Sequence, residues 1–235
     1  MNQLGTEAII LTRVNYSEAD RIITMLTPDY GKLRLIAKGV RKVKSKLAGG
    51  IELFSVSNIS FIQGRGEVGT LVSTRLRDHY GNIVKDLERT SLGYEIIKML
   101  NKTTEDTPES EYFTLLEQAF VALDDLDVGP NVVRLWFMVQ LLRLGGHSPD
   151  LNTDASGDKL KADHKYNFDF DSMAFISAPA GRFNANDIKL LRLGFSGYQP
   201  SVLQQVQGID TLIDEVTPSV QTMLNTHLRL DWHQA

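Results

Sequence analysis

Two periodicities divide this chain. Up to about residue 80 the apolar positions fall in short runs that alternate or nearly alternate, the period of a β-strand. Glu7–Thr12 and Asp20–Thr27 are the first two runs. Thr27-Pro28-Asp29-Tyr30-Gly31 is turn chemistry, with proline fixing φ and glycine free to take a positive φ. In Lys32–Lys38, the residues Lys32, Arg34, Ile36 and Lys38 share one face, while Leu33, Leu35 and Ala37 share the other. Phe54–Gln63 and Val68–Arg77 complete a set of five strands, the last two joined by a Gly64-Arg65-Gly66 hairpin turn.

Five short strands within about 80 residues predict a small closed barrel, and the oligonucleotide-binding (OB) barrel is the common five-stranded case. Past residue 83 the spacing turns helical. Lys85–Lys102 places Leu87, Ser91, Tyr94, Ile97 and Leu100 on one predicted core stripe. Pro108–Leu126 follows, and Gly129-Pro130-Asn131 opens Val132–Leu144. This last helix is apolar nearly all round, which predicts a central core position, and Gly145-Gly146 stops it. Residues 147–183 are the least regular, with one alternating run at Tyr166-Asn167-Phe168-Asp169-Phe170. Helical patterns resume at 184–193, 200–207 and about 209–230, where Pro218 predicts a break or restart. The expected class is α+β: a five-stranded OB-fold barrel over 1–81, then a mainly α-helical domain over 82–235 with an irregular insert at 147–183.

Charge changes this picture. The chain is acidic, with 25 Lys+Arg against 29 Asp+Glu. Residues 1–81 nevertheless hold 12 cations and 7 acids, a net of +5, so the remainder carries −9. Five cations and no acid stand in Lys38-Gly39-Val40-Arg41-Lys42-Val43-Lys44-Ser45-Lys46. A basic run inside an acidic chain predicts a polyanion partner, because each cation near a phosphate chain releases a condensed counterion. The DNA-binding candidates are Lys32, Arg34, Lys38, Arg41, Lys42, Lys44 and Lys46, with Arg65, Arg75 and Arg77 on the last hairpin. Single-strand binders also use aromatic platforms, and Tyr16, Tyr30, Phe54 and Phe61 are the N-terminal candidates before Tyr80. Phe54 and Phe61 are expected to be partly core.

Composition narrows the chemistry. An apolar fraction of 42% suffices for a real core. Zero cysteines exclude disulfides, a cysteine nucleophile and thiolate metal sites. Met1 leads straight into a strand pattern and no apolar run is long enough to span a bilayer, so no leader, no membrane contact and a cytoplasmic location are expected. Gly64-Arg65-Gly66-Glu67-Val68-Gly69 matches a dinucleotide fingerprint, with Asp86 near the ribose-carboxylate position. That fingerprint needs a helix starting at its glycines, whereas Thr70-Leu71-Val72-Ser73-Thr74 is β-branched and alternating. The hairpin reading is preferred. The five histidines (79, 147, 164, 227, 233) lack ligand spacing, and His227 and His233 are about 240° apart round a helix. Ser17-Glu18-Ala19-Asp20 holds paired carboxylates of the kind a metal-dependent nuclease uses, although a loop role fits them better. A protein-only adaptor with a basic docking face is the other alternative. No catalytic residue, metal or cofactor is expected.

The arrangement resembles a known family. Glu7-Ala8-Ile9-Ile10-Leu11, Ser17-Glu18-Ala19-Asp20-Arg21-Ile22, Gly31-Lys32-Leu33-Arg34 and Ala37-Lys38-Gly39-Val40-Arg41-Lys42 with Lys44-Ser45 resemble the N-terminal domain of the bacterial RecO recombination mediators. Leu142-Arg143-Leu144-Gly145-Gly146-His147-Ser148-Pro149-Asp150-Leu151 is similar to the helix end before that family's insert. The resemblance implies an OB domain, a helical domain, binding to single- and double-stranded DNA, and strand annealing at the nucleoid. It also implies contacts with RecR and with the acidic C-terminal tail of the single-strand binding protein, and indirect help to RecA. For that tail, Arg134, Trp136 and Arg143 are the candidates, as cations beside an apolar pocket. Many members carry a zinc ribbon in the insert. Here its two C-x-x-C pairs are replaced by Thr153, Ser156, Ser177 and Ala180, which cannot act as soft tetrahedral ligands. His164 with Asp163 or Asp169 would be the remaining metal option. The insert is expected to be zinc-ribbon-like without metal, held by Phe168, Phe170, Phe175 and Ile176.

Overall fold

The computed structural model describes residues 3–64 and 66–230. They form two compact units, Met1–Asp124 and Asp125–Ala235.

The first unit is built on a closed barrel of β1 (Gln3–Asn15), β2 (Arg21–Thr27), β3 (Gly31–Ala37), β4 (Ser55–Ile62) and β5 (Val68–His79). The strand order is β1-β2-β3-β5-β4, returning to β1, and all pairs are antiparallel except β3 with β5. This is the OB barrel, closed so that it has no free edge. The short apolar run expected at Glu7–Thr12 is in fact a strand of 13 residues. Closure requires the length: Gln3–Ile9 pair with β4, and Ile9–Asn15 pair with β2. A register shift between Ile10 and Thr12 lets β1 bend from one neighbour to the other.

Alternation fills the interior. Ala8, Ile10, Ile23, Met25, Leu35, Ala37, Ile59, Phe61 and Leu71 form the barrel core, joined by Val40 and Ile51 from the connection after β3. The outward-alternating residues Ile9, Leu26 and Val56 are also buried. Their cover includes α1 (Leu87–Thr103) and α2 (Ser110–Asp124), which contact β1 and β2 respectively. Asp86 caps α1 by accepting from the Arg89 N–H at 2.9 Å. The buried face of α1 is Arg89, Leu92, Gly93, Ile96, Ile97, Met99 and Leu100. Three of the five residues of the expected stripe are therefore outside the core: Leu87 is 86% exposed, Tyr94 is 51% exposed and Ser91 faces solvent. The cause is Gly93, which hydropathy does not count. It lets the Phe54 ring approach so closely that a Cβ there would stand 2.5 Å from Cε1.

The second unit centres on α3 (Pro130–Leu144), with Pro at its first turn and ten buried residues, as its all-round apolar pattern predicts. Around it lie α4 (Ala185–Phe195), α5 (Pro200–Gln204) and α6 (Ile209–Leu228). Two buried polar side chains on α3 find backbone partners: Trp136 donates to the Tyr198 carbonyl at 2.8 Å, and Gln140 donates to the Gly194 carbonyl at 2.5 Å. Helix α6 runs unbroken through Pro218, against the expected break. Pro218 is exposed, so the carbonyl it leaves unpaired one turn earlier can reach water, and Arg182 donates to the next carbonyl, Glu215, at 2.8 Å.

Between α3 and α4 lies a two-stranded sheet, β6 (Tyr166–Asp169) with β7 (Ala174–Ser177). Phe168, Phe175, Phe183 and Tyr166 pack edge to face in its core. Of the residues expected to hold this insert, Phe168 and Phe175 are buried and Phe170 packs on Phe168, while Ile176 faces solvent. Ile176 alternates outward in β7, so the strand period excludes it from the core. No described helix is long and apolar enough to cross a membrane.

Candidate nucleic-acid interface

The basic run leaves β3 and folds back on the barrel instead of hanging free. Gly39 adopts φ +65°, and its N–H donates to the Asp20 carboxylate at 2.7 Å. Val40 then inserts into the barrel core. The Arg41 N–H donates to the Ala19 carbonyl at 3.0 Å, and its guanidinium donates to the Ser17 carbonyl at 2.9 Å. Two further backbone bonds, Lys42 to Gly39 and Ser45 to Lys42, make the segment a succession of turns. Asp20 therefore serves as a clamp between the β1–β2 turn and the basic loop, and Glu18 is simply exposed.

Lys38, Arg41, Lys42, Lys44 and Lys46 are all exposed, and none makes an ion pair with a described residue. The other candidates differ. Lys32 turns to the end of α1, where its ammonium donates to the carbonyls of Asn101 (2.9 Å) and Thr104 (2.7 Å). This is a cation at a helix C-terminus, satisfying carbonyls that the helix leaves unpaired. Arg34 is exposed midway along β3, with Glu67 at 3.9 Å. Arg75 is exposed in β5 opposite Asn58. Arg77 is surrounded by acid: it bonds Glu7 at 2.5 Å and Asp78 at 2.6 Å, and it also pairs with Glu117. Burial disfavours its charge, but the hydrogen bonds and charges of Glu7 and Asp78 outweigh that and hold its pKa above the usual value. Arg65 lies outside the described residues, as does His233. The hairpin reading of its loop stands, since β5 and not a helix follows Gly66.

Of the aromatic candidates, Phe54 and Phe61 are fully buried, and Tyr30 packs edge-on against Phe61 at 5.3 Å. Tyr16 alone is open, at 64% exposure. Arg21, at the start of β2, is a cation of the same barrel end that lies outside the charged run in sequence. It is isolated in the sequence, and only its cross-strand partners Asn15 and Ala37 place it there.

The helical candidates do not converge. Trp136 is buried with its N–H satisfied. Arg134 bonds Asn131 and Arg143 bonds Gln140. The two arginines are nine residues apart, half a turn round α3, and so face opposite sides. In the insert, Thr153 bonds Asp150, and the Ser156 N–H donates to Asp154 at 2.9 Å. Asp169 caps the β6–β7 turn through Asp171 and Ser172, bonds that hold its carboxyl below the usual range, led by the Ser172 hydroxyl. Among the described residues no three His, Asp or Glu side chains converge as a metal site would need.

Fold and site together define a class: an OB barrel with a clamped cationic loop, joined in one chain to a helical unit bearing a β-hairpin insert. Residues 1–80 match the family described as Recombination protein O N terminal, and residues 84–229 match Recombination protein O C terminal. The chain belongs to the Recombination protein O (RecO) family. It is 33% identical over 153 residues to the DNA repair protein RecO of Thermoanaerobacter sp. (strain X514), covering 65% of this chain and 61% of that one. It is 31% identical over 163 residues to the DNA repair protein RecO of Dehalococcoides mccartyi, covering 68% and 64%. Against the same-named protein of Rhodopirellula baltica it is 34% identical over 145 residues, covering 60% and 53%. The matched stretch thus spans less than two thirds of each of these relatives.

Proposed function

We propose that this protein is a non-catalytic DNA-binding protein of recombinational repair, gripping single and double strands through Lys38, Arg41, Lys42, Lys44 and Lys46 and promoting the annealing of complementary strands. One observation carries the reading: five exposed cations with no ion-pair partner among the described residues sit on a loop pinned to an OB barrel by Val40 and Asp20, in a chain of net charge −4. The DNA-repair names of its relatives agree with it. Cations that touch the phosphates of two strands lower their mutual repulsion, and acidic surface elsewhere discourages other paths for DNA. Arg34 and Arg75 are exposed enough to extend the field, while Lys32 and Arg77 act mainly in the fold.

The same reading takes RecR and the acidic tail of the single-strand binding protein as protein partners, assists RecA indirectly, and places the chain at the nucleoid. Arg143, exposed at the end of α3, is the helical candidate best able to meet a tail carboxylate, and Arg143→Glu should then weaken capture of a tail peptide. The main test measures affinity for single- and double-stranded DNA against salt. Log affinity should fall with log salt at roughly −0.7 to −0.9 per phosphate contact. Salt-insensitive binding, or no binding to naked DNA, would favour a protein-only adaptor. Cleavage on adding Mg²⁺ would favour a nuclease.

A further inference from the structure

We propose that Tyr16 is a stacking platform for an unpaired nucleobase, which makes the loop end of the barrel a site for single-stranded DNA in particular; this rests on the DNA-binding reading above. The first observation is exposure. Tyr16 is the one N-terminal aromatic candidate left outside the core, and its ring has no aromatic partner among the described residues. The second is rigidity. The Tyr16 N–H donates to the Asp20 carbonyl at 3.1 Å, the Ser17 hydroxyl accepts from the Asp20 N–H at 3.3 Å, and Asp20 is itself clamped to Gly39. With the backbone held this way, stacking a base has only the two side-chain torsions of the ring left to fix.

The third observation is the charge on either side. Asn15, before Tyr16, accepts a hydrogen bond from the Arg21 guanidinium at 3.0 Å. Ser17, after it, accepts one from the Arg41 guanidinium at 2.9 Å. Each chain neighbour of the ring thus anchors an arginine, and Lys42 and Lys44 continue the positive surface along the loop. Single-strand binders combine both elements: a flat π-face for the base and cations for the phosphates that flank it. The turn that carries Tyr16 is the β1–β2 connection, a loop that OB barrels commonly use for oligonucleotides. A duplex offers the ring no free base face, so the cations serve both ligands and the ring serves only the single strand.

The test compares three probes by fluorescence anisotropy at one low salt concentration: a thymidine oligomer, an abasic oligomer with the same number of phosphates, and a duplex. Wild-type protein should bind the thymidine oligomer about 5- to 100-fold more tightly than the abasic one. Tyr16→Ala should remove that preference while leaving abasic and duplex binding and the salt slope unchanged, and Tyr16→Phe should keep it. A Tyr16→Ala protein with the wild-type preference, or one weakened equally for all three probes, overturns the stacking site but not the cationic grip. Wild-type protein that binds none of the probes overturns the DNA-binding reading and the platform with it.

Discussion

The Lys38–Lys46 loop and the strand that leads into it carry cations of the same kind in opposite circumstances. Lys42 is exposed with no carboxylate partner among the described residues, whereas Lys32, ten residues earlier, commits its ammonium to two carbonyls at the end of α1. Arg77 extends the contrast, since three carboxylates surround it. A cation's availability to a ligand is therefore decided by what already holds it. The loop keeps its charges free because its folding needs are met by other groups. Val40 supplies the apolar anchor, Asp20 takes a backbone N–H, and only Arg41 lends its guanidinium to a carbonyl.

This contrast can be broken at several points. The largest effect is expected from Arg41→Glu, Lys42→Glu and Lys44→Glu combined. The salt slope of DNA binding should flatten by about 2 to 3, affinity at moderate salt should fall roughly 10- to 100-fold for both single and double strands, and annealing should fall with it. Thermal unfolding should barely move, because exposed charges contribute little to stability. A triple variant that binds and anneals like wild type would reduce the loop to solvated surface. Lys32→Ala should do the reverse, costing about 2 kcal/mol in denaturant unfolding by stripping two carbonyls of a charged donor, with the salt slope kept.

The second unit supplies the opposite case, a charge buried without full satisfaction. Asp187 caps α4 through one oxygen, accepting from the Asn184 N–H, while its other oxygen is buried without a partner. Burial raises its pKa, with Glu215 adding to the rise and the Asn184 bond and Arg182 opposing it. The folded value thus lies above the unfolded one. The stability this group allows is full below the unfolded carboxyl value of about 3.9, and is lost as pH rises through the folded value. Asp187→Asn should therefore stabilise by about 1 kcal/mol at neutral pH, with the gain fading toward pH 4. A gain of equal size at both pH values would contradict the buried-charge account. The smallest effect is expected from Arg77→Ala: under about 1 kcal/mol in unfolding, since its pairs are partly exposed, and an unchanged salt slope.

Much of this architecture was legible along the chain. Alternation at Ile23/Met25, Leu35/Ala37 and Ile59/Phe61 marks the barrel interior, and the all-round apolar α3 marks the helical core. The cation run and the absence of cysteine are likewise local facts. Such features are readable because side-chain period and turn chemistry depend on residues a few positions apart. What stayed hidden involves partners far off in the sequence. Arg77 meets Glu7, 70 residues away, and Lys32 meets Asn101, 69 away, so neither neutralisation leaves a local mark. The true length of β1 follows from having two neighbours to pair with, and the buried face of α1 follows from Phe54 seeking Gly93. Tyr16 was one of four aromatic candidates by composition. Barrel closure buried Phe61 and turned Tyr30 against it, the helical cover took Phe54, and Tyr16 was left between two anchored arginines. Local pattern thus set which elements form, while long-range contacts decided which of their side chains remain free to bind.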